Sequence, residues 1–130
     1  MLAPRNARSY DDATKQEVHQ IKPIFPSPIL ALPEADIPLK GAHAFLSQGK
    51  NHQILFMQFE EDIDLAEHSH EDQIGFVLEG RIDLSFDGKK HTFVKGDRFH
   101  IEKGKPHSGR IYAGYADITF FNQADRYKVK

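Results

Sequence analysis

At 130 residues the chain is long enough to bury one core and too short for two. Its net charge of −2 and the lack of any membrane-length apolar run give no reason to expect nucleic-acid or membrane binding. Cysteine is absent, which excludes disulfides and thiolate sites, so any metal must be held by nitrogen and oxygen, which points to a first-row divalent ion.

Residues 1–22 are polar and lack the apolar run of a signal peptide, so a cytoplasmic location is expected. Ser9, with Asp12 three places on, offers a cap for a short helix reaching Gln20, although its apolar face would be only Ala13 and Val18. A mobile arm, or a segment lying on a partner subunit, is the alternative. Residues 23–38 hold five of the seven prolines (Pro23, Pro26, Pro28, Pro33 and Pro38). Proline lacks a backbone donor and is excluded from helix interiors, so an extended lead-in along the domain's edge is expected. Ile24, Phe25, Ile29, Leu30 and Leu32 make this segment adhesive, for its own barrel or for a second copy.

From Gly41 onward the pattern is of short strands at regular spacing with no helical period. Expected strands cover 43–47, 52–59, 64–68, 74–79, 81–86, 90–94, 99–101, 108–112 and 116–122. The second is apolar on both faces, which suits the middle of a sandwich. Asp87-Gly88 is the strongest hairpin signal, because a type I′ turn needs two positive φ angles. The run 109–129 reads as an edge strand and its tail. Many short strands without crossover helices give an antiparallel sandwich or barrel.

Two elements in this pattern carry chemistry. The first is His68-Ser69-His70, with Gln73 three residues on, an apolar strand and a closing Gly80. Side chains at i and i+2 of a strand share a face, so His68 and His70 can aim two imidazoles at one point. The second is Gly96, Gly104 and His107: a strand, a glycine turn and one histidine opening the next strand. Together they resemble the cupin family of small jelly-roll barrels, whose first motif is G-x5-H-x-H-x(3,4)-E-x6-G and whose second is G-x5-P-x-G-x2-H-x3-N. His68, His70 and Gly80 match the first, with Gln73 in the glutamate's place; Gly96, Gly104 and His107 match the second. The chain departs from the pattern in four ways. Asp62 replaces the opening glycine, one residue is missing between His70 and Gln73, Glu102 replaces the proline, and Ile111 replaces the asparagine.

The resemblance implies an all-β, single-domain jelly roll of the small bacterial type. Residues 1–40 would form an N-terminal arm and lead-in, and residues 41–130 the barrel. It further implies one divalent metal (Zn, Fe, Mn or Ni) held by His68, His70, Gln73 and His107; a polar histidine loop without metal is the alternative. Three imidazoles and an amide would leave the ion's charge uncompensated, favouring an anionic small-molecule ligand. The expected function is Lewis-acid isomerase or lyase chemistry on a sugar acid or carbonyl compound. The rivals are an iron-dependent dioxygenase and a non-catalytic, metal-dependent binding protein, and a homodimer is expected. Glu79, Arg81, Asp83, Tyr112 and Tyr115 are unranked acid–base candidates. His100 would line the cavity or an interface, and His19, His43, His52 and His91 would be solvated.

Overall fold

The computed structural model describes residues 22–130. A one-turn helix α1 (Ser27–Leu30) precedes nine strands: β1 (Ala42–Gln48), β2 (Gln53–Phe59), β3 (Ile63–His68), β4 (Gln73–Glu79), β5 (Arg81–Phe86), β6 (Lys89–Val94), β7 (Arg98–Ile101), β8 (His107–Ile111) and β9 (Ala116–Phe121). Each lies within two residues of its expected bounds. They form two antiparallel sheets, ordered β1-β2-β9-β4-β7 and β3-β8-β5-β6. The inner faces meet in one core that includes Leu46, Leu55, Met57, Val77, Leu84 and Ile101. The architecture is a jelly roll. Among the described residues no helix is long and apolar enough to cross a membrane.

The Asp87-Gly88 hairpin forms as expected, with φ of 55° and 72°. Two readings need correction. The lead-in is not extended throughout, since Ser27–Leu30 makes a helical turn with proline in its first positions. The first turn is the part of a helix where a missing N–H costs nothing. Likewise, β9 is no edge strand: it lies between β2 and β4 at the middle of the larger sheet. Its tyrosines and charges suggested an exposed edge, but Tyr115, Ala116, Asp117, Thr119 and Phe121 are all buried.

The lead-in packs on its own barrel. Phe25 is buried edge-on against Phe56, with ring centroids 5.7 Å apart. Gln58 ties the backbone down, accepting from Ile24 N–H at 3.3 Å and donating to the Lys22 carbonyl at 2.7 Å. Farther on, Glu34 bridges to Phe45 and Ala35 to Val129, so the otherwise open β1 edge is covered. The possible helix between Ser9 and Gln20, and His19 with it, lie outside the described residues.

Gly109 sits opposite Leu84 in the β5–β8 pairing. A Cβ there would stand 2.4 Å from the Asp83 backbone carbonyl oxygen, so the two strands must part to admit it. Gly109→Ala is expected to cost about 2 kcal/mol or more and to lower the thermal midpoint by roughly 5–10 °C. Thermal denaturation followed by circular dichroism checks this, and an unchanged midpoint would contradict the close approach of β5 and β8.

Candidate metal centre

Pairing between β3 and β8 brings His68 beside His107. The register runs Ile63↔Ile111 and Leu65↔Gly109, then His68↔His107. Three steps on β3 thus match two on β8, the signature of a bulge. Because side chains alternate along a strand, an unbroken register would have turned Glu67 inward. The extra residue leaves Glu67 exposed and turns His68 toward the cavity. His70 arrives differently from the expectation. β3 ends at His68, and His70 lies in the following loop, where its carbonyl accepts from Gly104 N–H at 2.9 Å. Gln73 opens β4, with Phe121 and Ile101 as its neighbours on β9 and β7.

His68, His70 and His107 each present one nitrogen, and these atoms lie within 4.8 Å of one another. Their ring centroids are 4.2, 4.7 and 5.3 Å apart. Every Nδ1 is engaged by the backbone: His68 with the Ala66 carbonyl at 2.7 Å, His70 with that of Glu71 at 2.8 Å, and His107 with that of Lys105 at 2.9 Å. A carbonyl oxygen only accepts, so each Nδ1 carries a proton, and in the neutral ring Nε2 is the nitrogen with the free lone pair. Burial lowers the His70 pKa to about 4, against the raising effect of the Glu71 hydrogen bond. The His107 pKa is lowered too, again mainly by burial, and the Arg126 charge acts on both rings in the same direction. Neutral imidazole is the form that ligates metals.

Gln73 faces the same cavity. Its Nε2 donates to Thr119 Oγ1 at 3.0 Å, and Thr119 in turn donates to the Ile74 carbonyl at 3.3 Å. The hydroxyl has one proton and spends it on Ile74, so Gln73 must offer Thr119 its nitrogen. The amide oxygen and the second N–H are then left for other partners.

The cavity holds about 380 Å³, in the range of small-molecule sites. Its walls are chiefly apolar, including Met57, Phe59, Leu65, Ile82 and Ile111. Beside the histidines and Gln73 it is lined by Tyr115, Asp117 and Arg126. Asp117 is buried, and its Oδ2 accepts from the Tyr115 hydroxyl at 2.5 Å. Burial pushes its carboxyl up to about 7, with the Tyr115 hydrogen bond opposing. Asp117 and Arg126 were not recognised in the sequence. A lone carboxylate in the apolar strand Ala-Asp-Ile-Thr-Phe-Phe was the available signal for the first; Arg126, in the tail after β9, offered none.

The remaining acid–base candidates lie elsewhere. Arg81 donates twice to Asp83, each at 3.1 Å, while Thr92 and Tyr112 donate to the same carboxylate at 2.7 and 2.8 Å. Burial alone would raise Asp83, but these donors outweigh it and hold the carboxyl near 2. None of the four lines the cavity, and Glu79 faces solvent 3.3 Å from Lys95. His100 stands exposed 3.4 Å from Asp72, away from the cavity. His43 contacts Glu60, while His52 stacks on Phe120 and His91 on Phe86, so the last two are packed and not freely solvated.

A family model described as "Cupin domain" matches residues 55–113. No curated protein matches the sequence significantly. Among solved structures, an RmlC-like cupin from Shewanella frigidimarina is similar at 20% identity and TM-score 0.62, over 72% of this chain and 86% of that one. KdgF from Halomonas sp. is 20% identical with TM-score 0.59, over 70% of this chain and 87% of that one. Salicylate 1,2-dioxygenase from Pseudoaminobacter salicylatoxidans is 16% identical with TM-score 0.57, over 66% of this chain and 26% of that one.

The buried Asp117 makes stability depend on pH. Between its ordinary value of 3.8 and about 7, the folded protein holds a proton that the unfolded chain has lost. Stability therefore falls as pH rises through that window. Asp117→Asn is expected to flatten this slope, leaving the variant more stable relative to wild type at pH 8 than at pH 5, by about 1 kcal/mol or more. Urea denaturation at both pH values measures the difference, and a pH-independent effect would show that Asp117 does not titrate in this range.

Proposed function

We propose that the chain is a cupin, as the family model matching residues 55–113 supports, and that it is a metal-dependent enzyme acting on a small acidic molecule. In this reading His68, His70 and His107 hold one divalent first-row ion through Nε2, with Gln73 Oε1 as the fourth donor. The observation that supports it most is the backbone anchoring of all three Nδ1 atoms. Metal-binding histidines are commonly oriented this way, by a second hydrogen bond from the other ring nitrogen. The Gln73–Thr119–Ile74 relay does the same for the amide oxygen.

All four donors are neutral, so the protein would leave both charges of the ion uncompensated. Arg126, lining the same cavity, adds a third, and Asp117, also lining it, offsets at most one. An anionic ligand would balance this excess. A bound divalent ion supplies Lewis-acid polarisation of a carbonyl or carboxylate oxygen, the assistance that isomerisation and elimination need. The chain's own part is to exclude water with apolar walls and to fix the donor atoms in place. The same donors around ferrous iron would suit a dioxygenase, and metal identity separates the two. Pairing of two copies is proposed through the outer face of the larger sheet, where Phe76 is 45% exposed. The lead-in is a second candidate surface: its Phe25 is covered by Phe56, but Ile24 is 42% exposed.

Protein purified without chelator is expected to carry one divalent ion per chain by elemental analysis. Co(II) titrated into stripped protein should give the visible bands of a nitrogen- and oxygen-ligated site. His107→Ala should weaken Co(II) by about 100-fold or more, and Gln73→Glu should tighten it by adding a compensating charge. Co(II) binding that is indifferent to His107 would remove the reading.

A further inference from the structure

Among the described residues, two buried side-chain atoms lack a hydrogen-bond partner: Asp117 Oδ1 and Arg126 Nε. Both residues line the cavity faced by His68, His70 and His107. Folded proteins leave few such atoms unpaired, because burial without a partner is costly. An acid and a base in one cavity would ordinarily close on each other, yet neither unpaired atom is satisfied by the other. Each is supported by other groups. Tyr115 holds the far oxygen of Asp117 at 2.5 Å. The Arg126 guanidinium rests over the rings of Tyr127 and Phe121, 4.4 and 5.6 Å from their centroids. Phe121 also meets His70 edge-on at 5.2 Å, so a single ring separates Arg126 from the histidine cluster.

We propose that Asp117 and Arg126 are the recognition pair of this cavity, and that its ligand is a small hydroxy acid with a hydrocarbon body. The carboxylate lies on Arg126, the hydroxyl on Asp117, and the hydrocarbon against the apolar walls. A guanidinium fork matches a carboxylate and stays charged at any physiological pH. A hydroxyl both donates and accepts, so it satisfies Asp117 Oδ1 whether that carboxyl is ionised or protonated. Polyhydroxylated acids fit poorly, because Met57, Phe59, Leu65 and Ile82 offer their extra hydroxyls no partner. This deepens the metal-centre reading by naming the ligand class of the same cavity. It does not need the metal to be tested, since Arg126 recognises the carboxylate on its own.

The test is calorimetric titration of the full chain, stripped with chelator and separately loaded with Zn²⁺. The probes are 2- and 3-hydroxy-4-methylpentanoate, 4-methylpentanoate, 4-methylpentane-1,2-diol and gluconate. One of the two hydroxy acids should bind about tenfold tighter than 4-methylpentanoate, and both the diol and gluconate should bind more weakly still. Arg126→Gln should weaken both kinds of acid by about tenfold and leave the diol unchanged, while Arg126→Lys should recover only part of the loss. Asp117→Leu should erase the preference for hydroxy acids over the plain acid. Gluconate binding as tightly as the hydroxy acids, acid affinity indifferent to Arg126, or no acid bound at millimolar concentration would each overturn the proposal. The stripped protein separates the two readings. Loss of Co(II) binding with Arg126 dependence intact defeats only the metal, and Co(II) binding without Arg126 dependence defeats only the recognition pair.

Discussion

The centre of this molecule depends on one irregularity, the bulge that shifts β3 against β8 between Leu65 and His68. A strand assigns its side chains to two faces by strict alternation, so a one-residue shift exchanges core for solvent. Here the shift turns a histidine inward where an exposed glutamate would otherwise point. His107 is already buried at the start of β8, and the two rings come together as a result of pairing alone. His70 joins them from a loop whose position is held by Gly104. The cluster is thus assembled from a strand end, a loop and a strand beginning.

Orientation follows from hydrogen bonds that the backbone supplies locally. Each imidazole finds a carbonyl within two residues of itself in the chain, at Ala66, Glu71 and Lys105. Short-range bonds of this kind survive small movements of the barrel, because ring and carbonyl travel together. Gln73 is oriented at longer range, through Thr119 on the neighbouring strand. The donor set therefore combines three locally fixed groups with one fixed by sheet pairing.

Polar groups in the molecule divide into two kinds by what satisfies them. The carboxylate of Asp83 receives bonds from Arg81, Thr92 and Tyr112 and is held well into its charged form. Nothing is left over for a ligand, and its role is to tie β5 to β6 and to the end of β8. Asp117 receives one bond and keeps one oxygen unpaired in a cavity with apolar walls. Its burial raises the carboxyl toward neutrality, a cost to stability that a purely structural core would not carry. Both residues sit in strands and both are buried, so burial alone does not distinguish them; the count of partners does.

The sequence by itself determined the strands, the Asp87-Gly88 turn and the three histidines, because each is written in a local pattern. Alternation, turn chemistry and short spacings act over a few residues and can be read there. It also placed Gln73 near the histidines, although not the Thr119 relay that orients it. Only the tertiary structure decided that β9 is central, that Phe25 is spent on its own barrel, and that Asp117 and Arg126 share the cavity with His68, His70 and His107. Those outcomes depend on strand order and on a bulge, which join residues dozens of positions apart, and no local pattern in the chain encodes such pairings.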